Sequence, residues 1–359
     1  MRLVCPRCGH EYKPSKGRYL CDCGSVLLVE YGKMHWAPKG KGVWRYATCM
    51  PASRHKFTLE EGGTALVKGR DRKAYYKLEG DNPTGSFKDR GTAVVVSRAV
   101  DEGYHTVSTA STGNMGASVA AYAAYANIKA RIFVPKATVP NKLAQITAYD
   151  AELVKVNGTF LDAVEKVTHD AFTGKSYLAM TGMNPYYLEG EKTTGYEIFE
   201  EIGVPDTIIV PMGTGGLITS IYKAFTELKA MKKAKDLPRM IGVQAANCSP
   251  ITAAWRHKKD RAERLENCET VAAAIMVKTP FNDYTALRAI RESGGQALAV
   301  SEKEILDSIR VLGKEGVFAE PASAAALAAY NKLQPAKREK TVLVVTGSGL
   351  KDPGAGMKK

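Results

Sequence analysis

The chain has 359 residues, 45% hydrophobic and 25% charged, the balance of a globular protein with room for two ordinary domains. No run of about 20 apolar residues is present, so no membrane span is expected. The start, Met1-Arg2-Leu3-Val4-Cys5-Pro6, lacks the apolar stretch of a secretion signal, which makes the cytoplasm the expected compartment. The formal net charge of +14 raises nucleic acid as a partner. The basic residues, however, fall in helix-like mixed-charge runs, Lys229 to Lys235, Arg256 to Arg264 and Lys337 to Lys340, without interleaved aromatics, so nucleic-acid binding is not expected.

The first element in chain order is a cysteine-bearing module over residues 1–33. It carries Cys5-Pro6-Arg7-Cys8-Gly9 and Cys21-Asp22-Cys23-Gly24, then a strand-like Val26 to Tyr31. Two such turns can present four thiolates to a structural zinc, with no position left open for catalysis. The second turn, C-x-C, is one residue shorter than a regular knuckle. Seven cysteines in all, an odd count, argue against a disulfide framework.

A linker from about Met34 to Pro51 follows, and strand-like and helix-like segments then alternate. Ala74 to Glu79 leads into a helix from Thr92 to Val100. Thr106 to Thr109 leads into Asn114 to Ala126, part of an Ala-rich stretch expected to be buried. Ala130 to Pro135 precedes Lys142 to Tyr149, and Glu152 to Val156 precedes Phe160 to Ala171. Thr207 to Pro211 precedes Leu217 to Lys232, and Met240 to Gln244 and Thr341 to Val345 are further strands. This order predicts an α/β fold with parallel sheets covered by helices.

In such sheets ligands bind in the turns after the strands, and four turns stand out. Asn82-Pro83-Thr84-Gly85-Ser86-Phe87-Lys88-Asp89-Arg90-Gly91 delivers Lys88 to a helix start. There the positive end of the helix disfavours the ammonium and keeps an amine reactive for Schiff-base formation. Ser111-Thr112-Gly113-Asn114-Met115 offers hydroxyls and N–H groups for a carboxylate, and the Asn114 amide for a phenolate-type oxygen. Gly213-Thr214-Gly215-Gly216-Leu217 is a loop that can curl around a phosphate; it lacks the endings of a P-loop or a dinucleotide fingerprint. Thr346-Gly347-Ser348-Gly349 brings a hydroxyl suited to a ring nitrogen. Together these are the requirements of pyridoxal phosphate.

The lysine segment with its Ser86-Phe87-Lys88-Asp89-Arg90-Gly91 ending resembles that of the threonine synthases, among the fold-type II pyridoxal-phosphate enzymes. So do Ser111 to Asn114, Asn184-Pro185-Tyr186-Tyr187-Leu188-Glu189-Gly190-Glu191-Lys192-Thr193, Glu320 to Ala325, and Val345 to Asp352. The N-terminal module resembles a zinc-ribbon-like module found on some members. The resemblance implies a tryptophan synthase β-subunit-like fold of two open parallel-sheet domains with the cofactor in a cleft. The expected division is 1–33 for the module, 34–91 with 191–359 for the large cofactor domain, and 92–190 for the small domain.

It also implies roles. Lys88 is expected to form the internal aldimine and shuttle protons. Asn114 would bond the cofactor's 3-oxygen, Gly213 to Leu217 its phosphate, and Thr346 its ring nitrogen. Ser111, Thr112, Gly113, Asn114, Met115 and Tyr187 would line the substrate, and Cys5, Cys8, Cys21 and Cys23 would hold zinc. The implied reaction turns O-phospho-L-homoserine and water into L-threonine and phosphate in a cytoplasmic homodimer. At Tyr187 the family carries an arginine that grips the substrate phosphate, and a family serine is Gly182 here. Lys142, Lys192 and Arg288 are the cations considered in its place. The same tyrosine opens the alternative of a serine/threonine ammonia-lyase or β-replacement enzyme.

Overall fold

The computed structural model describes residues 1–70, 73–334 and 340–357. In chain order the strands are β1 (Arg2–Val4), β2 (Glu11–Tyr12), β3 (Leu28–Glu30), β4 (Leu66–Lys68), β5 (Ala74–Leu78), β6 (Thr106–Ala110) and β7 (Lys129–Pro135). They continue with β8 (Glu152–Val156), β9 (Tyr177–Leu178), β10 (Thr207–Pro211), β11 (Arg239–Ala245), β12 (Gln296–Val300) and β13 (Thr341–Val345). The helices are α1 (Lys88–Asp101), α2 (Asn114–Tyr125), α3 (Ala144–Ala148), α4 (Phe160–Phe172), α5 (Tyr187–Glu191) and α6 (Thr193–Ile202). After them come α7 (Gly216–Ala230), α8 (Pro250–Arg256), α9 (Asp283–Glu292), α10 (Glu302–Lys314) and α11 (Pro321–Lys332).

The chain forms two compact units. Unit 1 joins Met1–Gly62 to Lys88–Glu191, and unit 2 joins Gly63–Phe87 to Lys192–Lys359. Residues 34–62, grouped with the large domain in the sequence reading, thus pack with the first unit.

Unit 1 holds two sheets. The small one has the antiparallel order β2-β1-β3, with Leu3 and Val29 fully buried. The larger has the parallel order β8-β7-β6-β9, with α2 and α4 packed on it. Helix α1 contains Gly91, Thr92 and the run Val94-Val95-Val96, all poor helix formers. It is nonetheless buried over most of its length, so tertiary packing rather than propensity maintains it. The reason lies in α5. A Cβ at Gly190 would fall onto the Arg90 carbonyl, and one at Gly91 would strike the Tyr187 ring. Only glycines allow the two backbones this close.

Unit 2 is one six-stranded sheet of order β12-β11-β10-β13-β5-β4, parallel except for β4. β10 and β13 are buried at every residue, as strands covered on both faces must be. α11 packs on β10 to β13, α7 on β10 and β11, and α9 on β11 and β12.

Two expectations change. The first two basic runs are helical only at their starts: α7 ends at Ala230 and α8 at Arg256, each followed by a lysine in the left-handed region, Lys232 (φ 60°) and Lys258 (φ 55°), a conformation that ends helices. Lys337, Arg338 and Glu339 lie outside the described residues. Cys248 and Cys268 form a disulfide, their Cα atoms 4.8 Å apart; an odd count reveals nothing about which residues a loop brings together. Among the described residues no helix is long and apolar enough to cross a membrane.

Gly190→Ala should destabilise the chain by about 1–3 kcal/mol, the cost of overpacking. Gly313→Ala, where nothing lies within 4 Å, should be neutral or slightly stabilising. Denaturant midpoints of the two variants check this.

Candidate active site

In unit 1, Lys88 is the first residue of α1, as its sequence setting predicts. Its carbonyl accepts two hydroxyl hydrogen bonds, from Tyr187 Oη at 2.6 Å and Thr92 Oγ1 at 3.0 Å. Thr92 is in turn held by Ser118 Oγ at 2.8 Å, so α2, α1 and α5 meet at this one carbonyl. The Lys88 side chain is 15% exposed, and its Nζ lies 3.6 Å from Oε1 of the fully buried Glu191. The Tyr187 ring centre lies 5.7 Å from Nζ, inside cation–π range. Burial, with the Glu191 charge second, pushes the Tyr187 phenol well above its ordinary value, so it stays a neutral donor.

Tyr187 is therefore not presented as a surface contact. It is fully buried with its hydroxyl engaged on the Lys88 backbone. Its hydroxyl fixes the backbone of Lys88.

Ser111 to Gly113 leave the carboxyl end of β6 and enter α2 at Asn114. Ser111 Oγ accepts from the Gly113 N–H at 3.2 Å, shaping a turn whose residues stay partly open while Met115 is buried. The N–H groups at a helix start are those an anion uses.

In unit 2, three turns leave the same carboxyl edge of the adjacent parallel strands β10, β13 and β5. After β10 comes Met212 to Gly215, then α7. Gly215 caps that helix with φ 90°, and a Cβ there would sit 2.9 Å from Asn282 O and from Ala286 Cβ. Glycine is thus required both for conformation and for space. Thr214 O accepts from Asn282 N at 2.9 Å, and Gly216 and Leu217 open the helix. After β13, Thr346 is buried, its hydroxyl 3.0 Å from Ser323 Oγ and 3.5 Å from Glu320 Oε1. After β5, Gly85 (φ 87°) closes the Asn82 turn, Ser348 N donates to Gly85 O at 2.9 Å, and Phe87 N donates to Thr346 O at 3.1 Å. The residue that follows Phe87 is Lys88.

Of the three substitute cations, two are committed elsewhere in unit 2. Lys192 is buried at 2.9 Å from Glu227, which Lys223 also pairs at 2.6 Å and Tyr196 hydrogen-bonds. Burial raises the Glu227 carboxyl, but these lysines outweigh it and hold it below the usual range. Arg288 pairs with Glu292 at 2.6 Å. Lys142 is exposed on the 3₁₀ turn Pro140–Leu143 that follows β7.

The four N-terminal thiols do converge. Cys5, Cys8, Cys21 and Cys23 have their sulfurs all within 4.8 Å of one another, with Cys5–Cys23 at 3.6 Å and Cys8–Cys21 at 3.5 Å. Tetrahedral zinc–sulfur bonds of about 2.3 Å demand edges of about 3.8 Å, so the set fits the metal. The shorter C-x-C turn is accommodated because Gly24 (φ 79°) returns its N–H to Cys21 O at 2.8 Å, as Gly9 (φ 73°) does to Cys5 O at 3.0 Å. Tyr12 Oη accepts from Asp22 N at 3.1 Å and lies 3.2 Å from Cys21 Sγ. Burial raises the Cys21 thiol, but the Tyr12 hydrogen bond and the Cys23 N–H prevail and bring it to about 6.

Glu191, Thr92, Ser118, Ser323 and Glu320 have no role in the sequence reading. Glu191, Ser323 and Glu320 stand inside segments that it quotes, but nothing in their spacing says which atom they face.

Tyr187→Phe removes one of the two bonds to the Lys88 carbonyl. It should cost about 1 kcal/mol of stability, read as a lower denaturant midpoint with unchanged slope.

A family profile described as pyridoxal-phosphate dependent enzyme matches residues 57–347. The threonine synthase of Methanosarcina acetivorans is 40% identical over 98% of this chain and 92% of its own, and that of Methanocaldococcus jannaschii 39% over 99% and 94%. Among solved structures, maize serine racemase matches with a TM-score of 0.70 at 22% identity, over 80% of this chain and 88% of that one. The processed form of threonine deaminase isoform 2 from Solanum lycopersicum matches with 0.71 at 21%, over 91% of each. At those identities the two structures speak for the fold alone. By the profile match and these identities the chain belongs to the pyridoxal-phosphate dependent enzyme family, among its threonine synthases.

Proposed function

We propose that the chain converts O-phospho-L-homoserine and water to L-threonine and phosphate with pyridoxal phosphate, as a homodimer in the cytoplasm. The observation that carries this reading is near-full-length identity of about 40% to threonine synthases, on a chain whose Lys88 opens a helix at the end of its signature segment.

The residues fit the cofactor. In unit 2, Gly213 to Leu217 would take its phosphate, on N–H groups at the start of a helix where a Cβ at Gly215 has no room. Thr346 would meet its ring nitrogen with a neutral hydroxyl that Ser323 and Glu320 already orient. In unit 1, Lys88 would anchor it and Asn114 would bond its 3-oxygen. Bound there, the cofactor supplies an electron sink for carbanion charge.

The protein's share is positioning and proton traffic. Lys88 Nζ takes the α-proton and then a β-proton, phosphate leaves the γ-carbon, water adds at the β-carbon, and the protons are returned to the γ- and α-carbons. Ser111, Thr112 and Gly113, with the first N–H groups of α2, hold the substrate carboxylate; Met115 backs that loop from the core.

Lys142 is the cation we assign to the substrate phosphate. It leaves the same edge of the sheet as the carboxylate loop, since β6 and β7 run parallel, Ala110 opposite Phe133. A charge-assisted contact of about 1.5–3 kcal/mol corresponds to roughly 10- to 150-fold in kcat/KM. The four cysteines, whose sulfurs converge, we assign to a structural zinc.

Incubation with phosphohomoserine, phosphoserine, threonine and serine tests the reaction. Threonine and phosphate should form in equal amounts from phosphohomoserine. Lys88→Ala should abolish turnover, and Lys142→Ala should lower kcat/KM about 10- to 150-fold. Ketoacid from free threonine or serine, with no phosphate released, would overturn the proposal. Metal analysis should find one zinc per chain. Cys8→Ser should lose it and lower the melting temperature, whereas an unchanged metal content would remove the zinc assignment.

A further inference from the structure

Glu191 stands between Gly190 and Lys192, and it is the carboxylate that faces the reactive lysine. We propose that Glu191 is a positioning residue for Lys88: its buried carboxylate holds the Nζ group in place and favours its protonated form. The inference rests on the function proposed above, in which Lys88 must both accept and return protons.

Two influences meet at Nζ. The helix start of α1 acts as about half a positive charge and disfavours the ammonium. A full carboxylate 3.6 Å away favours it. At comparable distance a full charge outweighs half a charge, and burial of Glu191 withdraws the screening that water would provide. An ionised carboxylate with no exposed surface is itself costly unless a cation compensates it. The structure sets Lys88 beside it.

The other groups facing this pair do not supply the same effect. From α5, Tyr187 presents its ring to Nζ and remains a neutral phenol. Glu189 on the same helix is bonded by Tyr31 Oη at 2.6 Å. Asp89 and Arg90, next along α1, are both buried and of opposite charge. From α2, Tyr122 donates to Glu61 at 2.7 Å, and Asn114 is uncharged. α5 carries Glu191 to Nζ because Gly190 lets it lie against Arg90 and Gly91. When Lys88 takes a proton from the substrate, the proton stays on Nζ and the new charge is met by Glu191, with no transfer to the carboxylate.

The test is the pH dependence of Lys88 acetylation in the full chain stripped of cofactor. Acetic anhydride is the probe and peptide mass spectrometry the readout, for the unaltered chain, Glu191→Gln and Glu191→Asp. Loss of the charge in the isosteric Gln variant should lower the labelling midpoint by about one pH unit, so that Lys88 reacts about tenfold faster at a fixed pH below it. The Asp variant, with its charge kept but retracted, should fall between. A midpoint that moves by less than 0.2 units, a threshold of roughly a fifth of the expected shift, would overturn the proposal. Should the Gln variant not fold, the Asp variant alone decides, since a purely structural role leaves its midpoint where it was. Failure to bind pyridoxal phosphate would remove the proposed reaction and leave this measurement standing. An unmoved midpoint in a chain that makes threonine would remove the role of Glu191 alone.

Discussion

The seating of α5 against α1 is the contact on which unit 1 depends. Two glycines, Gly91 and Gly190, remove the side chains that would keep the helices apart. The approach then brings Tyr187 under the Lys88 carbonyl and Glu191 to Nζ. Helix α1 could not stand on its own propensity, because valines, a threonine and a glycine fill it. The same packing that stabilises the helix thus determines where its first residue points. Ser118 and Thr92 extend the arrangement to α2, whose opening turn carries the carboxylate loop.

Unit 2 rests on a different constraint, the common direction of β5, β13 and β10. Parallel neighbours release their turns at one edge, so the lysine segment, the Thr346 turn and the glycine loop leave together. Backbone bonds between Gly85 and Ser348, and between Phe87 and Thr346, tie two of these turns to each other. Two lysines of this unit are fully buried in closer ion pairs than that of Lys88. Lys77 is held by Glu197, Glu201 and the Thr64 carbonyl, and Lys192 by Glu227.

The N-terminal module is joined to the rest of unit 1 by two tyrosines. Tyr19 Oη accepts from Leu178 N at 3.0 Å, on strand β9, and Tyr31 donates to Glu189 on α5. Its core is small, with Leu3, Tyr19, Val26, Leu27 and Val29 buried beside Cys5 and Cys21, which is the setting in which a metal contributes folding energy outright.

Most of the strand–helix alternation was legible, because β-branched runs followed by glycine-rich turns are local signals. Some legible signals went unread: Ser301 with Glu304 forms a capping box before α10, and Glu320-Pro321 opens α11. By itself the sequence determined the α/β class, the lysine at a helix start and the turns suited to a phosphate cofactor, since each depends on residues adjacent in the chain. Only the tertiary structure decided that Tyr187 lies buried beneath Lys88, that Lys192 is spent on Glu227, that Cys248 meets Cys268, and that Glu191 faces the reactive amine. Those outcomes depend on which side chain points at which atom across elements far apart in sequence, and that follows from packing and backbone approach, which no local pattern encodes.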